Sequence, residues 1–108
     1  MVEELTPTEL AARLQRNPGE VVLLDVRESW ERDLAVIDPS VHIPMNEIAD
    51  RNGELPPDRA IVVYCHGGTR SAMVASYLEH HGFASVANLT GGIEEWSLTV
   101  DPKVPRYR

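Results

Sequence analysis

Two uninterrupted apolar runs dominate the chain, Val21-Val22-Leu23-Leu24-Asp25-Val26 and Ala60-Ile61-Val62-Val63-Tyr64. Each is bounded by turn or charged residues, the pattern of strands buried on both faces. Ser85-Val86-Ala87-Asn88-Leu89 and the shorter Val41-His42-Ile43-Pro44 read as further strands. Helical signals lie between them. Thr6-Pro7-Thr8-Glu9 has a capping residue, a proline at the first helical position and an acid to complete a capping box. Leu10, Ala11 and Leu14 then supply an apolar face, and Asn17-Pro18-Gly19 ends it.

Residues 46–50 predict a brief helix stopped near Asn52-Gly53, and Leu55-Pro56-Pro57-Asp58 predicts a loop. Residues 69–81 predict a helix with Ala72, Ala75 and Leu78 on one face and Gly82 at its end. Gly91-Gly92 opens a short helix through Trp96, and residues 99–108 form a charged, proline-bearing tail expected to wrap the surface. Strands alternating with helices predict an α/β fold with a mainly parallel sheet and helices on both faces.

At 108 residues this is expected to be a single domain, residues 1–108, able to bury a core without disulfides or metal. The net charge of −7 argues against nucleic acid as a partner. No apolar run is long enough to span a bilayer, so no membrane partner is expected. The start, Met1-Val2-Glu3-Glu4-Leu5-Thr6-Pro7, lacks the basic-then-apolar order of a signal peptide. With one cysteine, Cys65, no intrachain disulfide can form, and the expected compartment is the cytoplasm.

That cysteine changes the picture. In Tyr64-Cys65-His66-Gly67-Gly68-Thr69-Arg70-Ser71 it ends a buried strand, and a helix begins within the loop. In open parallel sheets, ligands bind beyond the carboxyl ends of the strands. A helix N-terminus carries about half a positive charge, Arg70 adds a full one, and Gly67-Gly68 lets successive N–H groups curl into an anion-binding nest. These features favour an anionic sulfur nucleophile at Cys65 and a negatively charged substrate in the loop of His66, Gly67, Gly68, Thr69 and Arg70. His66 is expected to give its backbone N–H and local polarity rather than to transfer a proton. His42, His80 and His81 form no metal-ligand spacing with Cys65, so no metal is expected.

With these residues in view, the chain resembles a single-domain rhodanese along nearly its whole length. Leu23-Leu24-Asp25-Val26-Arg27-Glu28 resembles the family's first signature. Val41-His42-Ile43-Pro44 resembles the end of the second, from which Ala35-Val36-Ile37-Asp38-Pro39-Ser40 departs. Residues 65–71 resemble the active-site loop, Gly91-Gly92-Ile93-Glu94-Glu95-Trp96 the segment after the last strand, and residues 100–107 the tail of one bacterial subgroup. The resemblance implies a rhodanese-like sheet of about five short strands and no cofactor. It implies that Cys65 takes sulfur from a donor such as thiosulfate as a persulfide and passes it to cyanide, a small thiol or a protein thiol. Asp25 and Arg27 are expected to form a structural ion pair, and Trp96 to pack beside the site.

Two other readings compete. Phosphatases and arsenate reductases that resemble rhodaneses place five residues between Cys and Arg; this chain has four, a pocket tight for phosphate. A non-catalytic binding module would typically lack the cysteine, and a redox sensor would use an exposed, reactive thiol.

Overall fold

The computed structural model describes residues 2–108. Met1, the first residue of the segment read for a signal peptide, lies outside the described residues. Five strands form one sheet in the order β1-β5-β4-β2-β3, and every neighbouring pair is parallel. They are β1 (Glu3–Leu5), β2 (Val21–Asp25), β3 (Val41–His42), β4 (Ala60–Tyr64) and β5 (Val86–Leu89). The helices are α1 (Pro7–Arg16), α2 (Ser29–Leu34), α3 (Ile48–Arg51), α4 (Thr69–Glu79) and α5 (Gly92–Thr99). Among the described residues, no helix is long and apolar enough to cross a membrane.

The period-two alternation of the central strands divides the interior into two cores. On one face Leu24, Ile61, Val63 and Cys65 meet Ile48 of α3 and Val74, Ala75 and Leu78 of α4. On the other, Leu23, Val62, Tyr64 and Leu89 meet Leu10 of α1 and Ile93 and Trp96 of α5. Burial on both faces is why β2 and β4 read as unbroken apolar runs. The α1 capping box forms as the sequence predicts: Glu9 N donates to Thr6 Oγ1 at 3.2 Å, and Thr6 N to Glu9 Oε1 at 2.8 Å.

Several expected boundaries shift. The strand at residues 41–44 is two residues long: Ile43 N completes the ladder on Asp25 O of β2, and Met45 N then bonds Val26 O, beyond the end of β2, as the chain enters a 3₁₀ turn. The brief helix α3 ends at Arg51 with Asn52 as its cap, near the expected stop, and 3₁₀ turns at Met45–Glu47 and Asn52–Glu54 flank it. Helix α5 runs three residues past Trp96, so Thr99 belongs to it rather than to the tail. β1 and α2 have no counterpart in the sequence reading.

The segment 35–40, where the chain departs from the family's signature, includes a cis Asp38–Pro39 peptide. Side chains from below pin it. Arg27 Nη2 donates to Ala35 O at 2.7 Å, Ile37 N donates to the Tyr64 hydroxyl at 3.2 Å, and Arg32 donates to Ser40.

Beneath this segment Arg27 and Asp25 are both fully buried, and they pair as the sequence reading expected. Arg27 Nε and Nη2 donate to the two Asp25 oxygens at 2.9 and 2.8 Å. Burial raises the Asp25 pKa, but hydrogen bonds and charge from Arg27 outweigh it and hold the carboxyl below its ordinary range. Replacing Asp25 by Asn should therefore leave a buried guanidinium without its counter-charge. We expect a loss of about 3–5 kcal/mol in urea unfolding, the usual cost of breaking a buried pair from one side.

Candidate active site

Cys65 follows β4, the central strand, and lies at the carboxyl edge of the sheet. Its sulfur accepts hydrogen bonds from Gly68 N at 3.1 Å and Ser71 N at 3.4 Å. Ser71 Oγ lies 3.2 Å from it. Thr69 and Arg70 occupy the first turn of α4, where backbone N–H groups lack intrahelical acceptors. The sulfur thus rests on two amides, those of Gly68 and Ser71, at the start of α4.

Two glycines make this close approach feasible. Gly68 caps α4 at φ +109°, in the left-handed region. Gly92 is tighter still: a Cβ there would lie 2.6 Å from Cys65 O. Without that atom, Ile93 N and Glu94 N at the start of α5 reach Cys65 O and His66 O at 2.9 and 3.1 Å. The loop's carbonyls are thereby tied to α5 on one side, while amides face the sulfur on the other. Gly67 has nothing within 4 Å of such a Cβ and no positive φ, so the loop's turn rests on Gly68 alone.

The expected cation, Arg70, is not free. Its Nη1 and Nη2 donate to Glu31 Oε1 and Oε2 at 2.7 and 2.8 Å. Glu31 is 3 % exposed and also accepts from Glu28 N and from the Tyr107 hydroxyl. Burial pushes its pKa up, but Arg70, Tyr107 and the Glu28 amide more than offset this and bring it to about 2. Arg70 in turn has its pKa raised, chiefly by Glu31.

The other expected residues separate. Thr69 is exposed at the start of α4. The His66 ring stacks on Tyr107 with centroids 4.3 Å apart, and its Nε2 lies 3.7 Å from Glu94 Oε1. Asp25 and Arg27 bond each other and their surroundings rather than the cysteine. Trp96 lies in the core on the opposite sheet face from the Cys65 side chain. Cys65 itself is 1 % exposed, which corrects the exposed thiol assumed for a redox sensor.

Sequence reasoning missed four members of this network. Glu31 sits on the unrecognised α2. Ser71 donates to Asn88 Oδ1 at 2.5 Å, and Asn88 Nδ2 bonds Glu4 and Gly68 O. Both Ser71 and Asn88 are buried. Tyr107 comes from the tail. A polar residue in a strand that otherwise reads as core was the available signal for Asn88.

A family model described as Rhodanese-like domain matches residues 6–99. A protein of Allochromatium vinosum named sulfurtransferase is 37% identical over 97 residues, covering 90% of each chain. An Arabidopsis thaliana chloroplastic rhodanese-like/PpiC domain-containing protein is 36% identical over 113 residues, covering 98% of this chain and 38% of that one. Among solved structures, a rhodanese-like domain protein from Staphylococcus aureus superposes with a TM-score of 0.84 at 29% identity. The match covers 99% of this chain and 100% of that one.

The Glu31 pKa sets an acid limit on the site. Because its folded value lies below the unfolded value of about 4.3, Glu31 contributes stability above that pH. The contribution declines as pH falls toward about 2. Glu31→Gln should therefore be less stable than wild type at neutral pH, with the gap closing below about pH 4. Urea melts at a series of pH values would check this; a gap independent of pH would contradict it.

Proposed function

Because the chain belongs to the rhodanese-like domain family, we propose that it is a sulfurtransferase carrying a sulfane sulfur on Cys65. The observation that carries this reading is the Cys65 sulfur held by two amides at the N-terminus of α4. The Cys65 thiolate attacks the outer sulfur of thiosulfate. A new S–S bond forms, the old one breaks, and sulfite leaves with the bonding pair. The result is a Cys65 persulfide whose terminal sulfur is anionic. The amides of the loop, with the dipole of α4, stabilise that charge. Cyanide or a thiolate, on a small molecule or a protein, then attacks the terminal sulfur, and Cys65 departs as thiolate. This is covalent catalysis with a ping-pong pattern.

A lone thiol with no disulfide partner suits a reducing compartment, and we place the protein in the cytoplasm. Asp25 and Arg27 act as structural support in this scheme, and Trp96 as packing.

Intact mass after incubation with thiosulfate tests the reading. Wild type should gain one sulfur, removable by cyanide or dithiothreitol, and Cys65→Ser should gain none while keeping its fold. No gain in the wild type with any sulfane donor would sink the proposal.

Loop length separates sulfur transfer from phosphate hydrolysis. Wild type should not hydrolyse p-nitrophenyl phosphate. One residue inserted between Thr69 and Arg70 should abolish most sulfur transfer, because it displaces the loop amides and the Arg70–Glu31 pair. A shift of about 1 Å in such geometry costs on the order of a hundredfold in rate. Steady-state assays of both proteins on thiosulfate and aryl phosphate would decide it.

A further inference from the structure

The family match ends at residue 99, yet the chain continues into the site. After α5 the tail is fastened in steps. Val104 N bonds Asp101 O at 3.1 Å, Ser97 Oγ donates to Val104 O at 2.6 Å, and Arg106 pairs with Glu94. These contacts deliver Tyr107 to the loop. Its hydroxyl donates to Glu31 Oε2 at 2.7 Å and accepts from Arg27 Nη1 at 3.0 Å. Its ring lies against His66, the residue after the nucleophile, at an interplanar angle of 20°. Tyr107 thus touches one end of the loop directly and holds the other through the carboxylate that grips Arg70.

We infer that Tyr107 is a positioning residue of the active-site loop, its hydroxyl tuning through Glu31 the positive charge that Arg70 presents, and its ring fixing His66. The inference deepens the sulfurtransferase reading, because an anionic donor must approach the cation that Glu31 partly neutralises. A donor on a carboxylate takes up part of its negative charge. Without the Tyr107 hydroxyl, Glu31 leans more fully on Arg70, and the loop attracts anions less. The phenol supplies its proton throughout the neutral range, since burial pushes the Tyr107 pKa up to about 12.

Alkylation of Cys65 tests this without any sulfur donor, so a failure here is distinguishable from failure of the sulfurtransferase reading. The chain has one cysteine, so intact mass reports every event at that sulfur. Rates with anionic iodoacetate and neutral iodoacetamide are compared for wild type, Tyr107→Phe and Tyr107→Ala, each checked for folding by thermal melting. Tyr107→Phe keeps the ring and loses the hydroxyl. Its iodoacetate-to-iodoacetamide ratio should fall about three- to tenfold, the scale of one ordinary net hydrogen bond, because the effect reaches Arg70 only through Glu31, with the iodoacetamide rate little changed.

Tyr107→Ala also releases His66, and its iodoacetamide rate should shift about tenfold as the loop loses its register. An unchanged ratio in folded Tyr107→Phe would overturn the inference. So would rates for both reagents that move together with the unfolded fraction, which is what a purely structural tyrosine would give. Should Tyr107→Ala not fold, the ratio in Tyr107→Phe decides alone.

Discussion

A guanidinium taken wholly out of water must find an acceptor for each of its N–H groups and a counter-charge besides. Arg27 meets that demand with five hydrogen bonds from its guanidinium: two to Asp25, one each to Ala35 O and Glu31 O, and one to the Tyr107 hydroxyl. Those acceptors come from β2, from α2, from the segment leading to β3 and from the tail. None of them need adjoin another in an apolar fold. The buried charge forces them together, at the end of the strand that neighbours Cys65. The Arg27 carbonyl extends the same hub, because His42 Nε2 lies 2.7 Å from it.

From that hub the site is assembled by successive constraints. Asp25 anchors Arg27 and also pairs with Arg32. α2, set over the pair, turns Glu31 inward to hold Arg70. Arg70 fixes the start of α4, where the amides of Gly68 and Ser71 reach the sulfur. Independently, α5 secures the opposite side of the loop by donating its first amides, from Ile93 and Glu94, to the loop carbonyls. The cysteine therefore lies between two helix N-termini with different tasks: one presents N–H groups to the sulfur, and the other binds the backbone that carries it.

The parts of this arrangement written as apolar pattern were legible. β2, β4, α4 and the Thr6 capping box follow from runs, periodicity and capping chemistry, and the cysteine loop from its place after a buried strand. The missing pieces share a physical cause. In α2, Trp30 and Leu34 face solvent while Glu31 is buried, so its polarity is inverted and carries no amphipathic signal. β1 has three residues, of which only Leu5 is buried, too short for alternation to show. The role of Tyr107 depends on a partner 76 positions away in sequence, which no local pattern encodes. Asn88 belongs to a strand whose other residues are all buried and apolar, and its amide is satisfied only by tertiary neighbours.

The absent side chain at Gly92 has an energetic corollary. Backbone rests on backbone there, closer than any Cβ would permit, and two hydrogen bonds clamp the contact. Such a loop has little conformational entropy left to surrender when an anion arrives. On the proposed mechanism, the loop's dipoles are already oriented in the folded chain, so the reorganisation that water would have to undergo around a newly charged sulfur is completed during folding. Folding free energy is thus converted into readiness for charge, through a position whose contribution is the room it leaves.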